Sequence, residues 1–145
     1  MKTVVTIGVC VRNSASTIRE AIESIISQDF PHELIEIIFV DDESEDNTLS
    51  VIQEYVSRIN ILAKVFKSSW KGLGHARQIV VGNAEGEYIV WVDGDIVLSK
   101  DFIRKQVEFM EQYPKVGIAK GKQSLEPGGI CPLLWKYTHA LQVEW

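Results

Sequence analysis

The chain has 145 residues and a formal net charge of -5, with 46% hydrophobic and 24% charged residues. These values are typical of one globular domain over residues 1–145; they exclude intrinsic disorder and argue against a nucleic-acid surface, which needs clustered Lys and Arg. The two cysteines are widely separated, and no apolar run approaches the roughly 18 residues of a membrane span, so we expect a cytoplasmic location.

The first strand and helix are predicted close to the amino terminus. Residues 3–11 form an apolar run typical of a buried strand, and Arg12-Asn13-Ser14 ends it. Thr17 and Glu20 then have the spacing of a capping box, with apolar residues at helical intervals after them. The pattern therefore predicts a strand, a turn and an amphipathic helix.

A second strand and helix follow. Residues 34–40 predict a buried strand that ends in Asp41-Asp42. Asp46 or Asn47 can cap the next helix, which has apolar residues between positions 49 and 59.

A third strand and helix precede the segment that contains the main candidate metal ligands. Residues 61–66 predict a short strand, residues 67–74 a loop rich in glycine and cations, and residues 75–83 a helix. A buried central strand over residues 87–92 then runs into Asp93-Gly94-Asp95. Because strands and helices alternate, we predict an α/β fold with a doubly wound, mainly parallel sheet and helices on both faces.

The remaining residues are less regular. Apolar residues between positions 102 and 113 predict a helix, and residues 116–119 predict one more short strand. A turn is predicted over residues 126–129 and a helix over residues 133–145. Because no Gly, Pro or polar tail ends that helix, we expect the sequence to stop inside a longer protein.

Asp93 and Asp95 are candidate ligands of a divalent metal ion. The carboxyl ends of parallel strands form the edge at which α/β proteins bind ligands. Mg²⁺ or Mn²⁺ suits two carboxylates there, because it completes its shell with phosphate and water. Gly94 permits unusual dihedral angles and a close approach of the backbone. The alternative is an ordinary acidic turn, which an isolated Asp-Gly-Asp more often is.

Two other polar clusters, Arg12-Asn13 and Asp41-Asp42, follow strands at the same predicted edge. Asp41 or Asp42 can accept a hydrogen bond from the ring N–H of a base or from ribose hydroxyls. The alternative is that Asp42 and Ser44 only shape the turn into the next helix.

The segment from Gly72 to Arg77 can place backbone N–H groups and a helix start near a phosphate, with Arg77 or Lys71 supplying positive charge. It lacks the Gly-x-Gly-x-x-Gly spacing and follows the third strand, which disfavours a nicotinamide-dependent oxidoreductase.

Together these motifs resemble the nucleotide-binding half of family 2 glycosyltransferases, which have the Rossmann-like GT-A fold. The resemblance covers nearly the whole chain and rests on the segments Val9 to Asn13, Ile25 to Gln28, Val40 to Thr48, Gly72 to Arg77 and Ala84 to Asp95. It implies that residues 1–145 form a nucleotide-sugar-binding domain without the acceptor-binding half.

The resemblance also implies roles for individual residues. Cys10 and Asn13 would flank the nucleotide pocket, and Asp42 would bind the base. Arg77 would lie by the base or the diphosphate, and Asp93 near the ribose. Asp95 would be the direct metal ligand. Asp41 is a further candidate for binding the nucleotide sugar, and Asp93 a second candidate for the metal ion. The chain departs from the family pattern at Cys10, Glu43 and Gln78, where proline, glycine and asparagine are usual.

The implied activity is inverting transfer of a sugar from a UDP- or GDP-linked donor to a hydroxyl or a lipid-phosphate acceptor, with Mg²⁺ or Mn²⁺. In the family a later Asp or Glu is the general base, and neither Glu126 nor Glu144 lies in a matching motif. We therefore expect residues 1–145 alone to bind nucleotide but to turn over poorly. A lipid-linked acceptor would place the full-length protein at the cytoplasmic face of a membrane.

Two other hypotheses stay open. One is a noncatalytic nucleotide-sugar-binding or interaction module of the same fold. The other is a response-regulator-like receiver, but a receiver needs paired acids after its first strand, where this chain has Arg12-Asn13.

Overall fold

The structure is a computed structural model that describes residues 2–121. Its elements in chain order are β1 (Val5–Val11), α1 (Ile18–Ile26), a 3₁₀ helix (His32–Leu34), β2 (Ile35–Asp42), α2 (Thr48–Val56), β3 (Leu62–Ser68), α3 (Leu73–Asn83), β4 (Tyr88–Trp91) and α4 (Phe102–Gln112). Among these residues, no helix has the length and apolar character needed to cross a membrane.

The four strands form one parallel sheet in the order β3-β2-β1-β4. The chain adds β2 and β3 on one side of β1 and then returns to add β4 on the other side. This return creates a switch point between β1 and β4, and in open α/β sheets the crevice at such a point is where ligands bind. The predicted doubly wound parallel sheet is confirmed.

Helices cover both faces of the sheet because side chains alternate along each strand. On one face, Val5, Ile7 and Val9 of β1 belong to a buried cluster that includes residues of α1, α2 and α4. On the other face, Ile38 and Val40 of β2 pack with residues of α3. Each helix therefore buries its apolar side without obstructing the carboxyl ends of the strands.

Two strand predictions are wrong. Within residues 2–121, β4 lies at the edge of the sheet rather than in its centre, and it is half-buried, with 39% of Trp91 exposed. Residues 116–119 do not form a strand, because Ile118 is 91% exposed and the segment pairs with no other strand in the described part of the chain. The predicted turn at 126–129 and helix at 133–145 lie outside the described residues.

The helix caps also differ from the sequence pattern. Thr17 precedes α1, but its hydroxyl donates to the carbonyl of Ser14, so the predicted capping box is absent. Its backbone angles of φ -123° and ψ -28° lie outside the extended region that a capping side chain needs. Before α2, Asp46 accepts the N–H of Thr48 at 2.9 Å, whereas Asn47 makes no side-chain cap.

Glu36 is fully buried near the amino end of β2 and connects all four strands. Its carboxylate accepts hydrogen bonds from the Thr6 hydroxyl at 2.6 Å and the Glu85 N–H at 2.5 Å, and it lies 3.0 Å from Nζ of Lys64. Burial alone raises the pKa of Glu36, but the hydrogen bonds outweigh burial and hold that pKa below its usual value. The network fixes the turn before β4 at the edge opposite the strands' carboxyl ends.

We predict that Glu36→Gln lowers the free energy of unfolding at neutral pH by about 1.5–3 kcal/mol, because it removes the charge of a buried carboxylate that accepts hydrogen bonds and pairs with Lys64. A carboxyl group with a lowered pKa stabilises the fold above its unfolded pKa of about 4.3, and this contribution is lost as the pH falls through the folded-state pKa. Urea unfolding in acid should therefore show a smaller pH dependence for Glu36→Gln than for the wild type.

Glu85→Gln is the matched control, because Glu85 contacts the same lysine at 2.6 Å but its side chain is 62% exposed. Its loss should cost less than about 1 kcal/mol. Equal destabilisation by the two substitutions would contradict a dominant role for the buried carboxylate.

Candidate functional site

An open cleft of about 500 Å³ lies at the carboxyl ends of β1 and β4. It is lined by residues from the end of β1, from the turn into α1, from the start of α3 and from the segment after β4: Cys10, Val11, Arg12, Asn13, Ser14, Ser16, Thr17, Leu73, Asp93, Gly94 and Asp95. Four of the predicted site residues, Cys10, Asn13, Asp93 and Asp95, therefore meet at the switch point of the sheet.

Gly94 lets the two acidic residues follow β4 closely along the end of β1. A Cβ on Gly94 would lie 2.7 Å from Cγ1 of Val11 and 3.1 Å from Cβ of Ser14, so no side chain fits there. Gly94 does not use the conformational freedom that glycine permits, because its φ is not positive. Close packing is the reason for the glycine, and it leaves Asp93 and Asp95 exposed on the cleft wall.

The donor set fits a metal ion that is shared with a substrate. Within residues 2–121 there is no group of three or more His, Cys, Asp or Glu side chains that could hold a metal ion. Asp93 and Asp95 can supply two carboxylates, and Mg²⁺ or Mn²⁺ commonly completes such a shell with phosphate oxygens and water. The cleft thus suits a hard divalent ion that binds together with a diphosphate.

Arg77 on α3 lies beside Asp93, with 4.0 Å between Nη2 and Oδ1. Its guanidinium carbon is 5.2 Å from the ring centroid of Trp91, at the end of β4. The Arg77 and Asp93 side chains are 43% and 61% exposed, so the pair adds little stability. Both groups are therefore accessible to a ligand at the edge of the cleft.

The thiol of Cys10 is affected by three of the predicted site residues. Burial raises the pKa of Cys10 to about 11, while the charge of Arg77 lowers it and the charges of Asp93 and Asp42 raise it. The thiol is therefore neutral at physiological pH. Asp42 is also close enough to this cleft residue for its charge to be felt there, although it does not line the cleft itself.

Asp41 and Asp42 are the last residues of β2, and both are buried. Asp42 accepts the N–H groups of Lys71 at 3.3 Å and Gly72 at 3.0 Å, so it holds the loop before α3. Asp41 Oδ2 accepts the N–H of Ser44, whereas Asp41 Oδ1 is buried with no hydrogen-bond partner in the described part of the chain. The turn after β2 is thus held by Asp41 and Ser44, whereas the alternative considered from the sequence assigned it to Asp42 and Ser44.

The loop before α3 differs from the phosphate-binding arrangement suggested by the sequence. Its N–H groups at Lys71 and Gly72 already donate to Asp42. Gly72 has φ +87°, which favours glycine, and α3 begins directly after it at Leu73, two residues earlier than predicted. Leu73 lines the cleft, so the start of α3 still reaches the site.

Asn13 uses its side chain to join two loops. Its Oδ1 accepts the N–H of Glu45 at 2.8 Å, and its own N–H donates to the Ser44 hydroxyl at 2.9 Å. Its φ of +49° is one that asparagine tolerates better than most residues. Asn13 therefore shapes the cleft wall by fixing the loop after β2 against the end of β1.

A contact between Arg12, Glu43 and Trp70 was not predicted from the sequence. The guanidinium of Arg12 lies 4.1 Å from the Trp70 ring centroid, and a carboxylate oxygen of Glu43 accepts the Trp70 N–H at 3.0 Å. Glu43 has φ +60°, a left-handed conformation that explains why glycine is usual at this position. The replacement of the usual glycine by Glu43 was a hint in the sequence that this residue makes a special contact. The sequence could not identify Trp70 as the partner, because Trp70 lies 27 residues further along the chain.

Comparisons with known proteins identify the family and the fold of the chain. The family model described as "Glycosyl transferase family 2" matches residues 6–126. The chain is 31% identical over 126 residues to the poly(ribitol-phosphate) beta-N-acetylglucosaminyltransferase TarS of Staphylococcus aureus, a match that covers 87% of this chain and 22% of that protein. The chain therefore spans about a fifth of the length of this relative.

Two solved structures show the same fold. Staphylococcus aureus TarS in complex with UDP-GlcNAc has a TM-score of 0.69 and 28% identity, covering 77% of this chain and 32% of that one. The mannosyltransferase PcManGT from Pyrobaculum calidifontis, in complex with GDP-Man and Mn²⁺, has a TM-score of 0.72 and 26% identity, covering 76% and 33% of the two chains. The predicted GT-A fold is confirmed.

We predict that Gly94→Ala lowers the free energy of unfolding by about 1–3 kcal/mol, because the added methyl group overlaps Val11 and Ser14. Urea denaturation measures the change. Gly82→Ala is the control, since nothing lies within 4 Å of a Cβ at Gly82 in α3, and it should raise stability by about 0.5 kcal/mol. A neutral Gly94→Ala would show that close packing does not require glycine there.

We also predict that Glu43→Gly is more stable than Glu43→Ala by about 1 kcal/mol, because only glycine adopts the left-handed conformation without strain. Both substitutions remove the bond to Trp70, so their difference isolates the backbone. At Glu45, which has no positive φ, the order should reverse because glycine loses more entropy on folding. The same order at both positions, measured by chemical denaturation, would contradict the explanation.

Proposed function

Because the chain belongs to glycosyl transferase family 2, we propose that it forms the donor-binding part of an inverting, metal-dependent glycosyltransferase. The donor is a nucleotide-diphosphate sugar linked to UDP or GDP. The observation that carries the proposal is the convergence of Cys10, Asn13, Asp93 and Asp95 in one cleft at the β1/β4 switch point. The complexes of TarS with UDP-GlcNAc and of PcManGT with GDP-Man and Mn²⁺ support this class of donor.

Asp42 is the proposed acceptor for the ring N–H of the base. Its two oxygens already accept the N–H groups of Lys71 and Gly72, but a carboxylate has about four acceptor sites, so capacity remains. Two existing bonds also fix the orientation of the carboxylate before the ligand arrives. Asp41 supports this arrangement by holding the turn at Ser44, while Asn13 and Cys10 form the neighbouring wall.

Arg77 and Asp93 are proposed to bind the middle of the donor. The Arg77 guanidinium is half-exposed, always charged and able to donate several hydrogen bonds, which suits a diphosphate. Asp93 can accept from ribose hydroxyls and share the metal ion with Asp95. The long distance of 4.0 Å between Arg77 and Asp93 means that neither group has to give up a strong bond when ligand binds.

Asp95, with Asp93, would hold Mg²⁺ or Mn²⁺ against the donor diphosphate. When bound, the ion would act as a Lewis acid that neutralises charge developing on the departing diphosphate. In the proposed reaction an oxygen of an acceptor hydroxyl or lipid phosphate would form a bond to the anomeric carbon while the bond between that carbon and the diphosphate breaks, through an oxocarbenium-like transition state. The proton of an acceptor hydroxyl would pass to a general base. Within this scheme the chain's own residues bind and orient the donor, and Arg77 adds positive charge next to the leaving group.

We predict that the full chain binds UDP or GDP more tightly in the presence of Mn²⁺ and that Asp95→Asn reduces this metal-dependent gain about tenfold or more, or by about 1.4 kcal/mol. The reason is loss of a carboxylate that would hold the ion. Isothermal titration calorimetry of each nucleotide, with and without Mn²⁺, measures the effect.

Glu111→Gln is the control, because it removes the same charge from an exposed residue of α4 outside the cleft. It should leave nucleotide binding unchanged. A wild-type chain that shows no metal-dependent binding of either nucleotide would overturn the proposed function.

A further inference from the structure

The segment that follows Asp95 is hydrogen-bonded to the last turn of α1. Ser24 Oγ accepts the N–H of Leu98 at 3.1 Å and donates to the carbonyl of Ala21 at 2.7 Å. Ser24 is 7% exposed, so its hydroxyl makes these bonds away from water. The first backbone contact between α1 and this segment therefore lies three residues after Asp95.

Gln28 makes a second and larger set of contacts with the same segment. Its Nε2 donates to the carbonyls of Ser99 at 2.8 Å and Ser24 at 3.0 Å, and its Oε1 accepts the N–H of Ile103 at 2.9 Å. Gln28 is 5% exposed. Only an amide side chain of this length can donate twice and accept once here, because a carboxylate has no N–H groups.

These contacts account for a sequence feature that the donor site does not use. Ile25 to Gln28 is one of the segments that carry the family resemblance, but its residues do not line the cleft. Ile25 packs in the core, and Gln28 reaches across to residues 99–103. The bond from the Asp29 N–H to the carbonyl of Lys100, at 2.9 Å, extends the same connection.

The contacts matter for the acidic pair because the Asp93–Asp95 segment is short and exposed. On its amino-terminal side, the N–H of Val92 donates to the carbonyl of Gly8 at 3.0 Å, which fixes the segment to β1. On its carboxyl-terminal side, Ser24 and Gln28 hold the chain that follows it through their bonds to Leu98, Ser99 and Ile103. Carboxylates that ligate a metal ion need such support, since they repel each other and must be held in position before the ion binds.

We infer that Ser24 and Gln28 are positioning residues that hold Asp95 in place for the divalent metal ion. The inference rests on the proposed function, because it assigns the residues a role toward the metal ion of the donor site. It predicts an effect on the metal-dependent part of nucleotide binding, whereas a merely structural role would lower stability alone.

The test uses Gln28→Ala and the milder Ser24→Ala in the full chain, with Thr6→Val as the matched control. Thr6 is also buried, and it exchanges two hydrogen bonds with Glu36 and Gly86 at the opposite edge of the sheet. The measurements are the Tm of each variant and the Kd of UDP and of GDP with and without Mn²⁺. Gln28→Glu is added because its carboxylate can still accept from Ile103 but cannot donate to Ser99.

We expect Gln28→Ala to reduce the gain in nucleotide affinity from Mn²⁺ about tenfold and to leave the metal-free Kd unchanged. Ser24→Ala should show a smaller loss of the same kind, and Gln28→Glu should behave like Gln28→Ala. Thr6→Val should lower the Tm comparably while keeping the whole Mn²⁺ gain.

An undiminished Mn²⁺ gain in folded Gln28→Ala and Ser24→Ala would overturn this inference while leaving the proposed function intact. A wild-type chain with no Mn²⁺ gain would overturn both. A loss of the gain in Thr6→Val equal to that in Gln28→Ala would also overturn the inference, because general destabilisation would then explain the effect.

Discussion

The candidate site depends on the parallel pairing of β1 with β4. This pairing places Gly8 opposite Trp91 and continues into the bond between the Val92 N–H and the Gly8 carbonyl. Because β4 pairs directly with β1, the polar residues that follow these two strands are neighbours and line one crevice. A strand inserted between β1 and β4 would separate Asn13 from the Asp93–Asp95 segment by about 5 Å more.

The polar residues at the amino ends of the strands and those at their carboxyl ends differ in burial and in pairing. At the amino ends the Glu36 carboxylate is buried, its Oε1 accepts two hydrogen bonds, and its Oε2 lies 3.0 Å from Nζ of Lys64. At the carboxyl ends, Asp93, Asp95 and Arg77 are exposed and weakly paired, while their backbone is held by buried residues around them. A binding site for a charged ligand requires a backbone that is held in place and charged side chains that are not already engaged in strong ion pairs.

Much of the fold could be predicted from the sequence, because the spacing of apolar residues, the length of each apolar segment and the turn residues between segments specify each strand and helix locally. The acidic residues after β2 and β4 were identifiable because parallel strands bring their ends to one edge. The sequence could not reveal contacts between distant loops, such as Arg12 with Trp70 or Gln28 with Ser99, since nothing local encodes the partner. It also misled at residues 116–119, where a short apolar run has no neighbouring strand to pair with in the described part of the chain. The bonds that Asp42 accepts from the N–H groups of Lys71 and Gly72 are a further contact with a distant loop.

The neutral thiol in the cleft has a chemical consequence. Burial raises the pKa of Cys10 to about 11, so the side chain is almost entirely the neutral thiol at neutral pH, whereas it is the thiolate that reacts with electrophiles and peroxides. The pocket therefore contains a sulfur atom that reacts slowly with either. Inhibitors built around a cysteine-directed warhead would find a poor anchor here, and reversible mimics of a nucleotide diphosphate are the better starting point.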